Sequence, residues 1–176
     1  MRAKNLAGLY DLKTLEWAPV AQRLAVGFTQ APGTGGPNRH SSWLSTVDED
    51  GAPHVHGLGV LWHRDAFWFE TGEHSVKGRN LAREPRCALS LALAEYDLAF
   101  QGVAEPVRDP DAVRELAALW AEGGWPCEPD ETGTALTAPF SAPSAGSPPW
   151  LVYRFTITKA TVLSVVGDGG ATTFDF

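Results

Sequence analysis

Cysteine is scarce in this chain, and cations are outnumbered. Cys87 and Cys127 stand at no metal-ligand spacing and are too few for a disulfide scaffold. Lys and Arg total 14 against 21 Asp and Glu, a formal net charge of −7. That field repels polyanions, argues against a nucleic-acid partner and confines any anion site to a local cluster. No run approaches the ~18 apolar residues of a membrane-spanning helix, and Met1 is followed by Arg-Ala-Lys-Asn, not by an apolar signal segment. The expectation is a cytoplasmic protein with neither membrane nor nucleic acid as partner. No internal repeat is present. Gly33-Thr-Gly-Gly36 lacks the Lys-Ser/Thr pair of a phosphate-binding P-loop and reads as a flexible stretch.

What is present fits one domain spanning residues 1–176. The chain is 44% apolar and 20% charged, enough to bury roughly two thirds of the unfolded surface. Its first part, 1–39, reads as a helix over 14–27, with Pro19 tolerable only near the first turn, followed by a Pro/Gly-rich connector from Gln30 to Asn38. Strands are predicted for His40–Val47, Pro53–Trp62 and Phe67–Phe69. A hairpin turn at Asp48-Glu-Asp-Gly51, whose Gly supplies φ > 0, and a turn at His63-Arg64-Asp65 would join them as an antiparallel meander.

A helix is predicted from Ser75 to Arg83, closed by Pro85. In the next strand Cys87, Leu89, Leu91 and Leu93 point one way, and the small Ala88, Ser90, Ala92 and Ala94 point the other. A helix or a flat ligand would suit that small face equally well. Tyr96 to Val107 is a further strand. Asp109 is a natural N-cap and Pro110 a first helical residue for a helix with a Val113, Leu116, Ala117, Trp120 stripe, stopped by Gly123 and Gly124. Residues 125–150, rich in Pro, Ser, Ala and Gly, read as a long loop or lid. Strands at Trp150–Lys159 and Thr161–Val166 follow. Six to seven antiparallel strands with two to three helices make a mainly β fold, a small barrel with helices outside it.

The stretch Glu70-Thr-Gly-Glu-His-Ser-Val-Lys-Gly-Arg-Asn80 carries the most chemistry. It leads an aromatic strand into a helix, and Lys77 and Arg79 lie in that helix's first turns. Free N–H groups, the helix dipole and two cations together would receive a phosphate or another compact anion. Thr71, Gly72 and Ser75 are small or hydroxylated, which permits close backbone approach. His54 and His56, two apart on one strand, share a face and could donate to a ligand. No Cys or carboxylate stands near them at ligand spacing, so no metal is expected. Phe67 and Trp68 read as core or dimer interface. Trp150, where the long loop enters a strand, is equally suited to covering a ligand or to packing.

These strings, in this order, resemble the pyridoxamine 5'-phosphate oxidase-like superfamily of flavin-binding split β-barrels. The matching parts are Trp43-Leu-Ser-Thr-Val47 with Asp50-Gly-Ala-Pro-His54, then Phe67-Trp-Phe-Glu-Thr-Gly72, then Ser75-Val-Lys-Gly-Arg-Asn-Leu81 with Glu84-Pro-Arg86, and Gly102-Val-Ala-Glu-Pro-Val107. Within it the chain looks closest to the flavin/deazaflavin oxidoreductase branch, which implies FMN or coenzyme F-420 as cofactor, a small-molecule substrate and a homodimer. By that resemblance Ser75, Lys77, Arg79 and Asn80 would grip the cofactor phosphate, and the strand from Pro53 to Leu58, with His54, His56 and Gly57, would run along the ring. The implied function is hydride transfer between cofactor and substrate. The alternative is non-catalytic binding of flavin, deazaflavin or haem, for storage or sensing. Many relatives end Gly-Ala-Thr-Arg-Trp-Arg-Phe; here Gly170-Ala-Thr-Thr-Phe-Asp-Phe176 lacks both arginines.

Overall fold

The computed structural model describes residues 1–27 and 42–176. The Gln30–Asn38 connector, the Gly33–Gly36 stretch and His40 at the start of the first predicted strand lie outside the described residues.

Strand β1 (Arg2–Asn5) precedes helix α1 (Trp17–Ala25), which keeps Pro19 in its first turn and buries Val20 and Leu24. β2 (Ser42–Val47) alternates: Ser42, Leu44 and Thr46 face inward and are almost fully buried, and Trp43, Ser45 and Val47 face outward. The turn after it places Gly51 at φ +87° and returns the chain along β3 (Pro53–Gly57), which pairs with β2 in register Leu44↔His56 and Thr46↔His54.

The predicted strand Pro53–Trp62 breaks in two. Leu58 turns into the core, 6% exposed, and β4 (Leu61–His63) opens a new hairpin with β5 (Ala66–Thr71). Its two-residue turn places Arg64 at φ +50° and Asp65 at φ +56°, the double left-handed geometry that matches strand twist. The three-strand meander therefore does not form, because β5 pairs with a C-terminal strand instead of with β3. The reason is burial. Phe67 and Phe69 fill the barrel while Ala66 and Trp68 are covered from outside, so β5 is buried on both faces and takes as its long partner β10, whose Leu151, Val152 and Tyr153 are buried like it.

Helix α2 (Val76–Arg83) follows, then β6 (Arg86–Ala92) and β7 (Tyr96–Val107). Helix α3 (Pro110–Glu122) is capped by Asp109, whose carboxylate accepts the Ala112 N–H at 2.8 Å. Short strands β8 (Glu128–Pro129) and β9 (Leu136–Thr137) pair with each other, and Leu136 also bridges Trp150. The two strands predicted at Trp150–Lys159 and Thr161–Val166 are one, β10 (Leu151–Ser164), and β11 (Gly170–Asp175) ends the fold.

β10 organises the barrel. One edge carries β7 throughout; the other carries β5 along Leu151–Phe155 and β11 along Lys159–Ser164. The register shifts between Ile157 and Lys159, where the partner changes, and this bulge splits the sheet. The order is β1-β11-β10-β7-β6-β2-β3, with β4-β5 branching from β10. The expected mainly β antiparallel split barrel with flanking helices is what the chain forms. Its main sheet holds nine strands because one predicted strand divides, two merge, and β1 and β11 add to the edge.

The barrel interior packs Leu44, Phe67, Phe69, Leu89, Phe100, Phe155 and Phe174, closed at one end by α1. A second cluster joins Val113, Leu116 and Ala117 of α3 to Ala66, Trp68, Leu136 and Val152. The outer row Gly57–Trp43–Ser90–Ala99–Thr161 runs across five strands, and no described helix covers it. A shallow cavity of about 360 Å³ lies there, lined by Trp43, Ala92, Ala99 and Leu163 among others.

Candidate functional site

The junction of β5 with α2 is built by close backbone approach. A Cβ on Gly72 would stand 2.6 Å from the Ala145 carbonyl oxygen. On Gly78 it would collide with the Gly72 carbonyl and reach 2.9 Å from that of Glu73. Only glycine fits at either place. Ser75 caps α2: its hydroxyl accepts the Gly78 N–H at 3.0 Å and bonds the buried Thr71 hydroxyl at 2.8 Å.

Lys77 and Arg79 do not converge. Lys77 is 2% exposed, and its ammonium donates to the Ser144 carbonyl at 2.6 Å. Arg79 is exposed and bends back to donate to the His74 carbonyl. The expected paired-cation receptor is corrected on this point. Residues two apart on a helix leave in nearly opposite directions, so a single ligand contact for both was never available from α2 alone. Asn80 is a clamp: buried at 4% exposure, it donates to Thr46 Oγ1 at 3.1 Å and Asp48 Oδ1 at 2.6 Å, tying α2 to the β2 end.

Beside Lys77 lies Glu70, a residue the sequence reading passed over. Burial pushes its carboxyl pKa up, against the pull of its hydrogen bond with Ser141 and the charge of Lys77. Ser141 donates to Oε1 at 2.7 Å, while the buried Oε2 has no partner. Burial likewise pushes the Lys77 pKa down, opposed by Glu70. A signal for Glu70 existed in the sequence. It shares the outward face of β5 with Ala66 and Trp68, and an acid on an otherwise buried face invites a partner.

His54 and His56 do share a face of edge strand β3, their rings 4.4 Å apart at 68°. Both are half-buried, and His54 Nδ1 is enclosed without a hydrogen-bond partner. Burial, His54 and Lys77 together lower the His56 pKa, which places His56 in the electrostatic reach of Lys77. Gly57 follows them, exposed at the strand end. Among the described residues no three His, Cys, Asp or Glu side chains come together as metal ligands. Burial raises the Cys87 thiol to about 12 and the Cys127 thiol to about 11, so neither is poised as a nucleophile.

Residues 125–150 pack against α3 and β5. Trp150 is 2% exposed, bonds Leu136 through both backbone groups, gives its indole N–H to the Gly146 carbonyl at 2.9 Å, and lies 5.9 Å from the Trp125 ring. It is a packing residue here. In the tail, Asp175 faces Lys159 at 3.4 Å and Arg2 at 3.9 Å. Phe174 is core, in contact with Trp17.

A model of the family described as pyridoxamine 5'-phosphate oxidase matches residues 37–162. Among solved structures, a Clostridium acetobutylicum protein related to general stress protein 26 is 14% identical, with a TM-score of 0.58, covering 91% of this chain and 94% of its own. General stress protein 26 from Bacillus anthracis is 12% identical, TM-score 0.53, covering 81% and 92%. A conserved hypothetical protein from Mycobacterium tuberculosis is 21% identical, TM-score 0.51, covering 77% and 89%. These likenesses concern the fold. No curated protein sequence matches the chain.

Proposed function

The chain belongs to the pyridoxamine 5'-phosphate oxidase family, and on that footing we propose that it is an oxidoreductase using FMN or coenzyme F-420, acting on a small organic substrate as a homodimer. The observation that carries this reading is the enclosed, unpartnered Nδ1 of His54 on an edge strand whose neighbouring His56 feels the charge of Lys77. A buried polar atom without a partner is costly and suits a site completed by a ligand. The donor set suits a flavin: Lys77 with the Ser75-capped start of α2 for the phosphate, and the His54–Gly57 strand for the polar edge of a ring. Thr71, Gly72 and Ser75 allow the close approach, Asn80 holds α2 in place, and the exposed Arg79 would reach a more distal anionic group by releasing the His74 carbonyl.

When bound, the cofactor supplies the hydride chemistry. The chain's own part is to bind, orient and exclude water. Lys77 supplies a charge-assisted hydrogen bond, and a weakly basic His56 stays neutral at physiological pH and offers one N–H without adding charge. The partner subunit would cover the small-residue outer row and its apolar cavity, bringing Trp43 and Ala99 against a second copy. Trp150 is left out of the contact set by its packing.

Titrating apo-protein with FMN and with F-420, followed by fluorescence, tests the reading. Lys77→Ala is expected to weaken the bound cofactor by about 10- to 100-fold, the worth of one hydrogen bond to a charged group. Absence of binding by both cofactors, or no effect of Lys77→Ala, removes the reading. If cofactor binds but reduced cofactor persists with every acceptor, the protein is a binder and not an oxidoreductase.

A further inference from the structure

Lys77, assigned to the cofactor phosphate, and the neighbouring Gly72 N–H already hold oxygen atoms of the chain itself. Lys77 donates to the Ser144 carbonyl at 2.6 Å and the Gly72 N–H to the next carbonyl, Ala145, at 2.8 Å. Two consecutive peptide oxygens thus sit on a side-chain cation and a backbone N–H at the β5–α2 junction. At 2% exposure Lys77 is closed to any solute unless Ser144 moves.

Beyond those two carbonyls, the segment's far end is fastened by the Gly146 carbonyl, which accepts the Trp150 indole N–H at 2.9 Å. Ser141 bonds Glu70, and Ala145 is the single residue of 141–149 that is fully buried; Pro143 and 146–149 are exposed. Gly146 holds φ +77° and ψ −168°, a conformation open essentially to glycine alone. Just beyond, Trp150 is fixed through Leu136. Residues 141–147 therefore have an anchored end, a glycine pivot and few buried contacts, the features of an element that opens locally at low cost. A neutral carbonyl is also a weaker acceptor for ammonium than a phosphate oxygen, so the exchange favours the anion.

We propose that residues 141–147 are a displaceable plug, in which the Ser144 and Ala145 carbonyls stand in for the oxygens of an anion and must swing away before a cofactor phosphate reaches Lys77. The proposal rests on the reading of Lys77 as the phosphate ligand. Affinity for a phosphorylated ligand is then lowered by the fraction of time the plug is closed, and a ligand lacking the phosphate does not feel the plug.

The test compares FMN with riboflavin on the full-length protein and its Gly146→Ala variant. No atom lies within 4 Å of a Cβ at Gly146, so the substitution burdens only the closed backbone conformation. Expected are faster amide exchange at Gly72 in the free variant, FMN bound about tenfold more tightly, and riboflavin unchanged. Ser141→Ala is expected to move both readouts the same way by less. Faster Gly72 exchange with FMN affinity unchanged or weakened overturns the proposal, as does unchanged exchange in both variants. If Lys77→Ala weakens FMN while Gly146→Ala does not tighten it, the plug alone falls. If FMN binds and Lys77→Ala leaves its Kd unaltered, the phosphate reading falls and takes the plug with it.

Discussion

The two halves of the candidate site differ in what their polar groups already hold. At the β5–α2 junction every donor singled out from sequence has an internal partner: Gly72 with Ala145, Ser75 with Thr71, Lys77 with Ser144, Asn80 with Asp48. Along β3 the situation is reversed. His54 and His56 touch each other, and His54 Nδ1 has no hydrogen-bond partner. Rich internal bonding makes the first half structural whatever it binds, whereas the second half is an edge that the fold can spare. A residue type suited to a ligand is thus not evidence of an available ligand group until its partners are counted.

The comparison breaks or sharpens through substitutions on each side. The largest effect is expected from Gly78→Ala, whose Cβ meets two backbone carbonyls; a loss of about 3 kcal/mol in urea unfolding is anticipated, since backbone cannot yield as a side chain can. Near-normal stability would show that α2 slides freely and that the junction is loosely held. Asn80→Ala removes both bonds to the β2 end and is expected to cost about 2 kcal/mol. A cost near zero would mean that Thr46 and Asp48 find water instead.

The buried acid and base give a pH signature to the closed half. Glu70 carries a raised pKa, so its contribution to stability is full below its ordinary 4.5 and is lost as pH rises through the raised value. Lys77 carries a lowered one, so its contribution is full above 10.5 and is lost as pH falls through the lowered value. Glu70→Gln is expected to flatten the fall in thermal midpoint that accompanies a rise of pH through the raised Glu70 value. A slope that survives the substitution assigns it to another group. The smallest change is expected from His54→Ala and His56→Ala, each within about 0.5 kcal/mol of the parent in stability, with cofactor affinity as the quantity that moves. A large stability loss at either position would erase the distinction between the halves.

Much of the architecture could be read along the chain. Alternating Leu89, Leu91 and Leu93 marked an inward face, Asp109-Pro110 marked a helix start, and Asp48–Gly51 marked a hairpin, because each signal is local and periodic. The misreadings lie where partners are distant in sequence. Pro53–Trp62 looks continuous, yet Leu58 leaves for the core and β5 joins β10 eighty or more residues later. The junction of β10 with β5 and then β11 depends on a bulge with no marker of its own in the Ile157–Lys159 stretch. Of the site, His54 and His56 on one face followed from strand period alone. The separation of Lys77 from Arg79 was legible as helix geometry and went unread. The roles of Glu70, Ser141 and Ser144 depended on a fold-back over about seventy residues.

From the residue order alone come the strand and helix periods, the capping residues, the acidic balance and the family-bearing strings, since all are set by neighbours within a few positions. Tertiary structure decided which strand edges meet, that Lys77 faces inward, and that the chain's own carbonyls occupy its ammonium. Those outcomes turn on burial and on pairing between distant segments, and no local pattern encodes the competition that settles them.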